Sequence, residues 1–204
     1  MNPCWIFGGV PPADRFLEKP PENAYIIAAD SGYSTVKTMN LTPDLVLGDF
    51  DSLAEKPSCG EIITAPAEKD DTDTMLAVKT ALERGFTDIS VAGSIGGRLD
   101  HTLANIQTLA YIAAHGGFGR LIGENDIVEL IGKGTYSYRR RDGMYLSLFS
   151  YGSSAVVTVS GAKYCLERHR LKNTFPLGVS NEIIEEDCRV IVSEGQILVV
   201  FSKK

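Results

Sequence analysis

The stretch EIITAPAEKDDTDTMLAVKTALERGFTDISVA, residues 61–92, contains the pattern that decides the fold class. Short apolar runs at Glu61–Thr64 and Ile89–Ala92 have the length and residue types of buried strands. Between them, Asp73–Arg84 has apolar residues at helical spacing, and Gly85 is a typical stop signal. A strand, a helix and a second strand in this order predict a right-handed βαβ unit in a mostly parallel sheet.

The same alternation extends through the first half of the chain. It predicts further strands at Cys4–Phe7, Tyr25–Ala29, Leu45–Leu47 and Arg120–Ile122, and a helix over His101–His115. After Gly123 the pattern changes to short alternating runs, such as MYLSLFS, SAVVTVSG, DCRVIVS and QILVVFS, that glycines and charged residues separate. We therefore predict an α/β domain over residues 1–123 and an antiparallel sandwich or barrel over residues 124–204.

Composition excludes several classes of function. The 204 residues carry a net charge of −6, which disfavours general nucleic-acid binding because phosphate backbones demand a basic surface. No apolar run approaches the about 20 residues of a membrane span, and the first ten residues do not resemble a secretory signal. The 4 cysteines form no close pair and no zinc spacing, so we expect reduced thiols and a cytoplasmic protein.

Polar clusters follow five of the predicted strands. In order they are Gly8–Gly9, Asp30–Gly32, Gly48–Ser52, Lys69–Asp73 and Gly96–His101. Each has an ordinary explanation as a turn or a helix cap. However, ligands of open parallel sheets bind beyond the carboxyl ends of the strands, and the regular placement of these clusters favours a binding site there.

The residue types in these clusters favour phosphate chemistry. Alternation puts Asp49 and Asp51 on one side of an extended chain, where two carboxylates are costly without a cation between them. A hard, oxygen-binding cation such as Mg²⁺ fits, because the Gly48–Ser52 cluster has no histidine or cysteine. Carboxylates with Mg²⁺, together with Lys69 and Arg98, are suited to phosphoryl transfer. The sequence has neither a GxxxxGK[ST] motif nor protein-kinase motifs.

The ordered set of motifs resembles the thiamin pyrophosphokinase family over nearly the whole chain. The motifs are AADSG, LGDFDS, KDDTD, GGRLDHTLANI, GAKYCL, GVSNE and GQILVVFS. Two departures are Ser31, where many relatives have glycine, and Cys165, where proline is common. The resemblance implies a Rossmann-like parallel-sheet domain followed by a β-sandwich, a homodimer with shared active sites, and transfer of the pyrophosphoryl group of ATP to thiamin with release of AMP.

The resemblance also implies roles for individual residues. The aspartates that would hold Mg²⁺ and phosphates or help to activate the hydroxyl are Asp49, Asp51, Asp73 and Asp100, of which Asp49, Asp51 and Asp73 are the expected metal ligands. Arg98, with Lys69, would neutralise the transferred group. The expected nucleotide-binding residues are Asp30, Ser31, Gly32, Lys69, Asp70, His101 and Asn105. Ser180 and Asn181 would lie near thiamin, contributed across the dimer interface. Which aspartate accepts the proton stays open.

Other functions compete with this interpretation. GDFDS resembles the DxD motif of haloacid-dehalogenase-type phosphatases, but those enzymes have it after the first strand, and here it follows the third. A related pyrophosphokinase acting on a hydroxymethyl-pterin would share the ATP-binding half, so GAKYCL and GVSNE discriminate against it. A nucleotide-sensing module without turnover is the alternative from another class, and the full set of acidic and basic residues argues against it.

Overall fold

The computed structural model describes residues 2–9, 16–49, 60–64 and 71–204. The chain divides into two compact units, Met1–Asn125 and Asp126–Lys204. Three of the expected site residues, Asp51, Lys69 and Asp70, lie outside the described residues.

The first unit alternates strands with helices, as the sequence predicts. Its elements are β1 (Cys4–Phe7), β2 (Tyr25–Ala29), α1 (Gly32–Thr38), β3 (Leu45–Gly48), β4 (Glu61–Thr64), α2 (Asp73–Glu83), β5 (Asp88–Ala92), α3 (Leu99–Ala114) and β6 (Phe118–Ile122). The strands pair in the order β6-β5-β1-β2-β3-β4, and every pair is parallel. The chain therefore crosses from one side of β1 to the other between β4 and β5, which makes β1 the point where ligand binding is expected.

The central strands of this sheet are buried on both faces. Trp5 and Phe7 point to one face, where they pack in a cluster with Tyr33 and Val36 of α1. Ile6, on the opposite face, is also fully buried. Burial on both faces is typical of parallel sheets that helices cover, and it explains why these strands have continuous apolar sequences.

The two long helices confirm the predicted helices to within two residues at each end. α2 begins after Thr72, whose hydroxyl accepts a hydrogen bond from the Met75 N–H at 3.1 Å, so Thr72 is a true helix cap. The short helix α1 was not predicted, because its seven residues include Thr35 and Val36, which disfavour isolated helices. Packing against the sheet stabilises it instead. None of the described helices is long and apolar enough to cross a membrane.

The second unit consists of antiparallel strands. They are β7 (Asp126–Ile131), β8 (Gly134–Arg139), β9 (Met144–Ser160), β10 (Leu166–Lys172), β11 (Gly178–Asn181) and β12 (Asp187–Lys203). The pairing order is β10-β9-β12-β7, while β11 also pairs with β9 and β8 also pairs with β12. Residues 126–204, all of which are described, contain no helix, as the sequence predicts.

Two of the predicted breaks between strands are wrong. MYLSLFS and SAVVTVSG belong to one 17-residue strand, β9, and DCRVIVS and QILVVFS both belong to β12. Gly152 and Gly195 have φ angles of 76° and 77°, and the pairing of β12 with β9 shifts register around residues 192–196. A Cβ on Gly195 would lie 2.5 Å from the Ser154 carbonyl oxygen. These glycines therefore mark bends within continuous strands, where a bulge lets the chain turn without ending the pairing.

Candidate active site

Main-chain contacts join the carboxyl ends of four strands in the first unit. The Gly8 N–H, after β1, donates to the Ala92 carbonyl of β5 at 2.8 Å. The Asp30 N–H, after β2, donates to the Leu47 carbonyl of β3 at the same distance. A Cβ on Gly32 would lie 2.0 Å from the Phe7 carbonyl oxygen, so only glycine fits there. Main-chain segments that lie close to one another therefore form most of this edge of the sheet.

A cavity of about 580 Å³ opens at this edge. Its lining includes six of the expected site residues: Asp30, Ser31, Asp73, Arg98, His101 and Asn105. Three further residues of the lining, Gly9, Thr72 and Gly97, belong to the predicted clusters without an individual role. Ala29, Thr74 and Gly93 also line the cavity but lie outside the clusters. Asp49, Asp100 and Gly32, which the structure also describes, do not belong to the lining. Four of the five predicted clusters therefore contribute to this lining, whereas Gly48–Ser52 contributes none of its described residues. The position of Thr74 in the first turn of α2 was the signal that could have identified it.

Two helices begin at the cavity. Thr72 and Asp73 open α2, and Arg98 is the residue before α3. The N-terminus of a helix carries free N–H groups and a partial positive charge, so it binds anions. Together with the Arg98 guanidinium, these helix ends make the cavity suitable for phosphate groups.

Arg98 and Asp100 form a two-bond ion pair at the start of α3. The Arg98 Nε and one terminal nitrogen donate to the two carboxylate oxygens of Asp100, at 3.1 and 2.5 Å. This pairing holds the pKa of Asp100 below its usual range, and the hydrogen bond from the His101 N–H lowers it further. A carboxylate with a lowered pKa is a weak proton acceptor. The geometry therefore favours Asp100 as the residue that orients Arg98.

The acidic cluster at the start of α2 separates into two environments. Asp71 forms a salt bridge with Lys79, whose Nζ lies 2.8 and 2.6 Å from the two carboxylate oxygens. This hydrogen-bonded pair raises the pKa of Lys79. Asp73, two residues further along, lines the cavity instead. The lysine thus compensates part of the repulsion expected within this cluster, and of the two described aspartates only Asp73 lines the cavity.

The backbone at the end of β2 adopts a conformation that L-residues rarely adopt. Asp30 has a φ of 48°, and a Cβ on Gly48 would lie 3.1 Å from the Asp30 Cα. The neighbouring Ser31 hydroxyl donates to the Gly9 carbonyl at 3.5 Å, a long hydrogen bond. Left-handed backbone at a non-glycine residue is often found in binding sites. Here it turns the chain so that Asp30 and Ser31 both line the cavity.

Asn105 has a structural contact in addition to its place in the cavity lining. It is only 6% exposed, and its Nδ2 donates to the Ser94 carbonyl at 2.6 Å. Ser94 follows β5, so the amide of Asn105 ties α3 to the loop at the end of that strand. Asn105 therefore fixes the shape of the cavity wall, whether or not it contacts a ligand.

The donor types at the cavity fit a hard cation. Asp30 and Asp73 contribute carboxylates, and Thr74 contributes a hydroxyl, which are the ligand types that Mg²⁺ prefers. Among the described residues, no group of three or more His, Cys, Asp or Glu side chains is close enough to hold a metal ion. Of the expected metal ligands, Asp49 and Asp73 are described and Asp51 is not.

The Ser180–Asn181 segment lies in the second unit, at the end of β11. Ser180 has a φ of 57°, and its N–H donates to the hydroxyl of the buried Ser147 at 3.0 Å. The side chain of Asn181 is hydrogen-bonded to the main chain of Tyr164, in the GAKYCL motif. The Tyr164 side chain itself is 63% exposed. The structure thus brings together GAKYCL and GVSNE, the two motifs that the sequence marks in the second half. It also shows that Tyr164, within GAKYCL, is an exposed aromatic residue.

Fold and site together define an α/β protein with a cavity at the carboxyl edge of a parallel sheet, where two helices begin, and with a second unit of antiparallel strands. Family models for "Thiamin pyrophosphokinase, catalytic domain" and "Thiamin pyrophosphokinase, vitamin B1 binding domain" match residues 18–117 and 136–198. The chain belongs to the thiamin pyrophosphokinase family.

Individual relatives agree with this assignment. The thiamine pyrophosphokinase of Bacillus subtilis (strain 168) is 30% identical over 189 residues, which span 89% of this chain and 88% of the relative. The crystal structure of thiamine pyrophosphokinase from Bacillus subtilis superposes with a TM-score of 0.89 at 26% identity, covering 100% of both chains. That of a thiamin pyrophosphokinase family protein from Enterococcus faecalis has a TM-score of 0.88 at 30% identity, again over 100% of both chains.

Proposed function

We propose that this chain transfers the pyrophosphoryl group of ATP to the hydroxyl of thiamin, with Mg²⁺, giving thiamin diphosphate and AMP. As a member of the family, the chain is a thiamin diphosphokinase. The single observation that carries the proposal is the cavity of the first unit, where two helix N-termini, Arg98 and carboxylates meet.

The cavity is the proposed site for ATP. Phosphate groups would lie against the starts of α2 and α3, where free N–H groups are available. The proposed nucleotide-binding residues are those expected from the sequence: Asp30, Ser31, Gly32, Lys69, Asp70, His101 and Asn105. The cavity lining supports Asp30, Ser31, His101 and Asn105. Gly32 contributes by its close contact with the Phe7 carbonyl, which keeps the adjoining backbone near the cavity.

The reaction makes one bond and breaks one. The thiamin hydroxyl oxygen attacks the β-phosphorus of ATP, the bond from that phosphorus to the oxygen it shares with the α-phosphate breaks, and AMP leaves with the bonding electrons. The hydroxyl proton passes to an aspartate at the carboxyl edge of the sheet. Arg98, oriented by Asp100, stabilises the negative charge that grows on the leaving AMP and the transferred group.

Asp49, Asp51 and Asp73 are the proposed ligands of Mg²⁺. A bound Mg²⁺ would neutralise phosphate charge and help to align the reacting groups. Of the three, Asp73 lines the cavity, and its carboxylate is a hard oxygen donor, which supports its part of the assignment.

The second unit is the proposed site for thiamin, through the segment that carries Ser180 and Asn181 and through Tyr164. Thiamin has a cationic thiazolium ring and a flat aminopyrimidine ring, and both bind well to an aromatic face. The exposed Tyr164 side chain, which already has the Lys163 Nζ 5.8 Å from its ring centroid, supports a contact of this type.

We further infer that two copies of the chain form a homodimer with shared active sites. Large hydrophobic side chains are exposed within a short part of the second unit, namely Tyr164, Phe175, Leu177, Val179 and Ile184. Exposed apolar residues at this density are typical of protein interfaces.

Copies with Asp73→Asn and copies with Tyr164→Ala can be unfolded, mixed, refolded and assayed at low thiamin concentration. Shared sites restore activity in the mixed dimer, whereas sites built within one chain leave every site of a verified mixed dimer impaired.

Three finer assignments complete the proposal. Residues 1–123 form a Rossmann-like nucleotide-binding domain, which the parallel strand order supports. Residues 124–204 form a β-sandwich for thiamin binding and dimerisation, which the antiparallel pairs support. A cytoplasmic location fits the free thiols of Cys4, Cys165 and Cys188.

Product analysis tests the function directly. The chain is incubated with ATP, Mg²⁺ and thiamin, and the nucleotides and thiamin esters are separated by chromatography. AMP and thiamin diphosphate should form in equal amounts, and EDTA should abolish both. ADP with thiamin monophosphate would contradict pyrophosphoryl transfer. Turnover with a hydroxymethyl-pterin in place of thiamin, or ATP binding without turnover, would favour the alternatives from the sequence.

A further inference from the structure

The side-chain amide of Asn181 is bonded to main chain on both of its polar ends. Its Oδ1 accepts hydrogen bonds from the N–H groups of Tyr164, at 3.0 Å, and Glu182, at 2.9 Å. Its Nδ2 donates to the Tyr164 carbonyl at 2.8 Å. An asparagine amide can accept two hydrogen bonds and donate two. Both acceptor positions and one donor position of Asn181 are therefore used within the protein.

The two bonds to Tyr164 imitate strand pairing. In an antiparallel sheet, facing residues exchange N–H and C=O bonds, and Asn181 makes the same exchange with its side chain. The adjacent Lys163 N–H donates to the Glu182 carbonyl at 2.8 Å, which is ordinary main-chain pairing. Asn181 thus extends the pairing by one residue, to the point where the Tyr164 ring enters solvent.

The result is an exposed side chain on a fixed backbone. Both main-chain polar groups of Tyr164 are bonded to Asn181, while the side chain is 63% exposed. A ring presented in this way loses little conformational freedom when a flat ligand binds.

We propose that Asn181 is a positioning residue for thiamin: it acts by fixing the main chain of Tyr164 and does not itself contact the substrate. This inference rests on the proposed function, in which Tyr164 contacts thiamin.

The experiment compares Asn181→Ala, Asn181→Asp, Tyr164→Ala and the double variant Asn181→Ala/Tyr164→Ala in the full chain. The hydrogen bonds of the Asn181 side chain to the main chain of Tyr164 and Glu182 are called the clamp below. Hydrogen exchange of the Tyr164 and Glu182 amides reports on this clamp, and steady-state kinetics give separate KM values for thiamin and ATP. Asn173→Ala is the matched control, since Asn173 makes one side-chain bond to main chain, from its Nδ2 to the Gly152 carbonyl.

Asn181→Ala should exchange both amides about tenfold faster and raise the KM for thiamin about tenfold, with the KM for ATP unchanged. Asn181→Asp, which keeps the acceptor oxygen but loses the donor to the Tyr164 carbonyl, should give exchange rates at both amides between those of the unaltered chain and Asn181→Ala. The double variant should have the same KM for thiamin as Tyr164→Ala, because the clamp has no effect without the ring. Asn173→Ala should behave as the unaltered chain.

If the increases in the KM for thiamin of Asn181→Ala and Tyr164→Ala multiply in the double variant, Asn181 contacts thiamin directly and the inference is overturned. The same conclusion follows if Asn181→Ala raises the KM for thiamin while amide exchange is unchanged. Faster exchange with an unchanged KM would also overturn it, by making Asn181 purely structural. A normal KM for thiamin in Tyr164→Ala would remove the Tyr164 contact and this inference together, while thiamin diphosphate still formed. If the unaltered chain forms no thiamin diphosphate, the failure lies in the proposed function.

Discussion

The cavity of the first unit and the Ser180–Asn181 segment of the second are built by different means. In the first, backbone approaches backbone so closely that a Cβ on Gly32 would lie 2.0 Å from the Phe7 carbonyl oxygen. In the second, a side-chain amide, that of Asn181, holds the main chain of Tyr164. A site made of main chain tolerates no added atoms, whereas a site held by a side chain loses its geometry when that side chain is shortened. Adding a methyl group at Gly32 therefore tests the first site, and shortening the side chain of Asn181 tests the second.

The largest effect should follow from adding one methyl group to the first unit. Gly32→Ala should lower the free energy of unfolding by about 3 kcal/mol, because the new Cβ overlaps the Phe7 carbonyl and the backbone must move. Urea unfolding measures the change. Gly132→Ala in the second unit is the control, since a Cβ there meets nothing within 4 Å, and its midpoint should hardly change. Equal midpoints for the two variants would show that the edge of the sheet is not tightly built.

The second-largest effect should be a loss of kcat that distinguishes Asp73 from Asp71. Asp73→Asn should lower kcat about 100-fold with little change in unfolding, because the carboxylate lining the cavity is removed while its shape is kept. Asp71→Asn should change kcat less than about twofold, because Asp71 is occupied by Lys79 and exposed salt bridges contribute little. Steady-state kinetics decide, and a larger loss in Asp71→Asn would contradict the assignment of Asp73 to the site.

A smaller effect compares two arginine–aspartate pairs of the same spacing. Arg98→Lys should lower kcat about tenfold, since an ammonium group cannot reproduce the two-bond pairing with Asp100. Arg140 pairs with Asp142 in the second unit, also two residues away, and Arg140→Lys should leave kcat within about twofold. Similar kinetics in both variants would indicate that Arg98 takes no part in turnover.

The smallest effect is on titration. Arg98 lowers the pKa of Asp100, so the ion pair is intact above the ordinary carboxyl pKa of about 3.9 and is lost as the pH falls through the lowered value. Arg98→Ala should therefore raise the pKa of Asp100 toward that ordinary value, as followed by carboxyl NMR. The pKa of Glu182, lowered by Lys204, serves as the reference and should not move. An unchanged Asp100 titration would mean that the pair does not form in solution.

The sequence predicted most of the first unit because its central strands, β1, β2, β3 and β5, are buried on both faces. The predicted β1, β2 and β4 have the observed bounds, and the two long helices are correct to within two residues. The helix α1 was not predicted, since contacts of Tyr33 and Val36 with the sheet stabilise it more than its own sequence does.

In the second unit the sequence identified the runs that form β9 and β12 but not their continuity, and it did not mark β8, β10 or β11 as strands. Gly152 and Gly195 indicate turns in the sequence, yet they are bends within β9 and β12, because long pairing between these two strands resumes after each glycine. A local signal does not reveal pairing of this range.

For the site, the sequence predicted the carboxyl edge and six residues of the cavity lining. It could not separate Asp71 from Asp73, because the difference depends on Lys79, which lies 8 positions beyond Asp71 in the chain. Nor could it distinguish an asparagine that touches a ligand from one that holds the backbone of Tyr164, since the partner lies 17 positions earlier in the chain.

Calorimetric titration is the most direct test of the proposal that the two units divide the substrates. The α,β-methylene analogue of ATP, whose α–β link cannot be cleaved, is titrated with Mg²⁺ into Arg98→Ala and Tyr164→Ala, and thiamin is titrated into both separately. Arg98→Ala should weaken the affinity for the analogue about tenfold and change the affinity for thiamin less than about twofold. Tyr164→Ala should weaken the affinity for thiamin about tenfold and change the affinity for the analogue less than about twofold. If both variants weaken the same ligand, or each weakens both ligands equally, the division between the units is wrong.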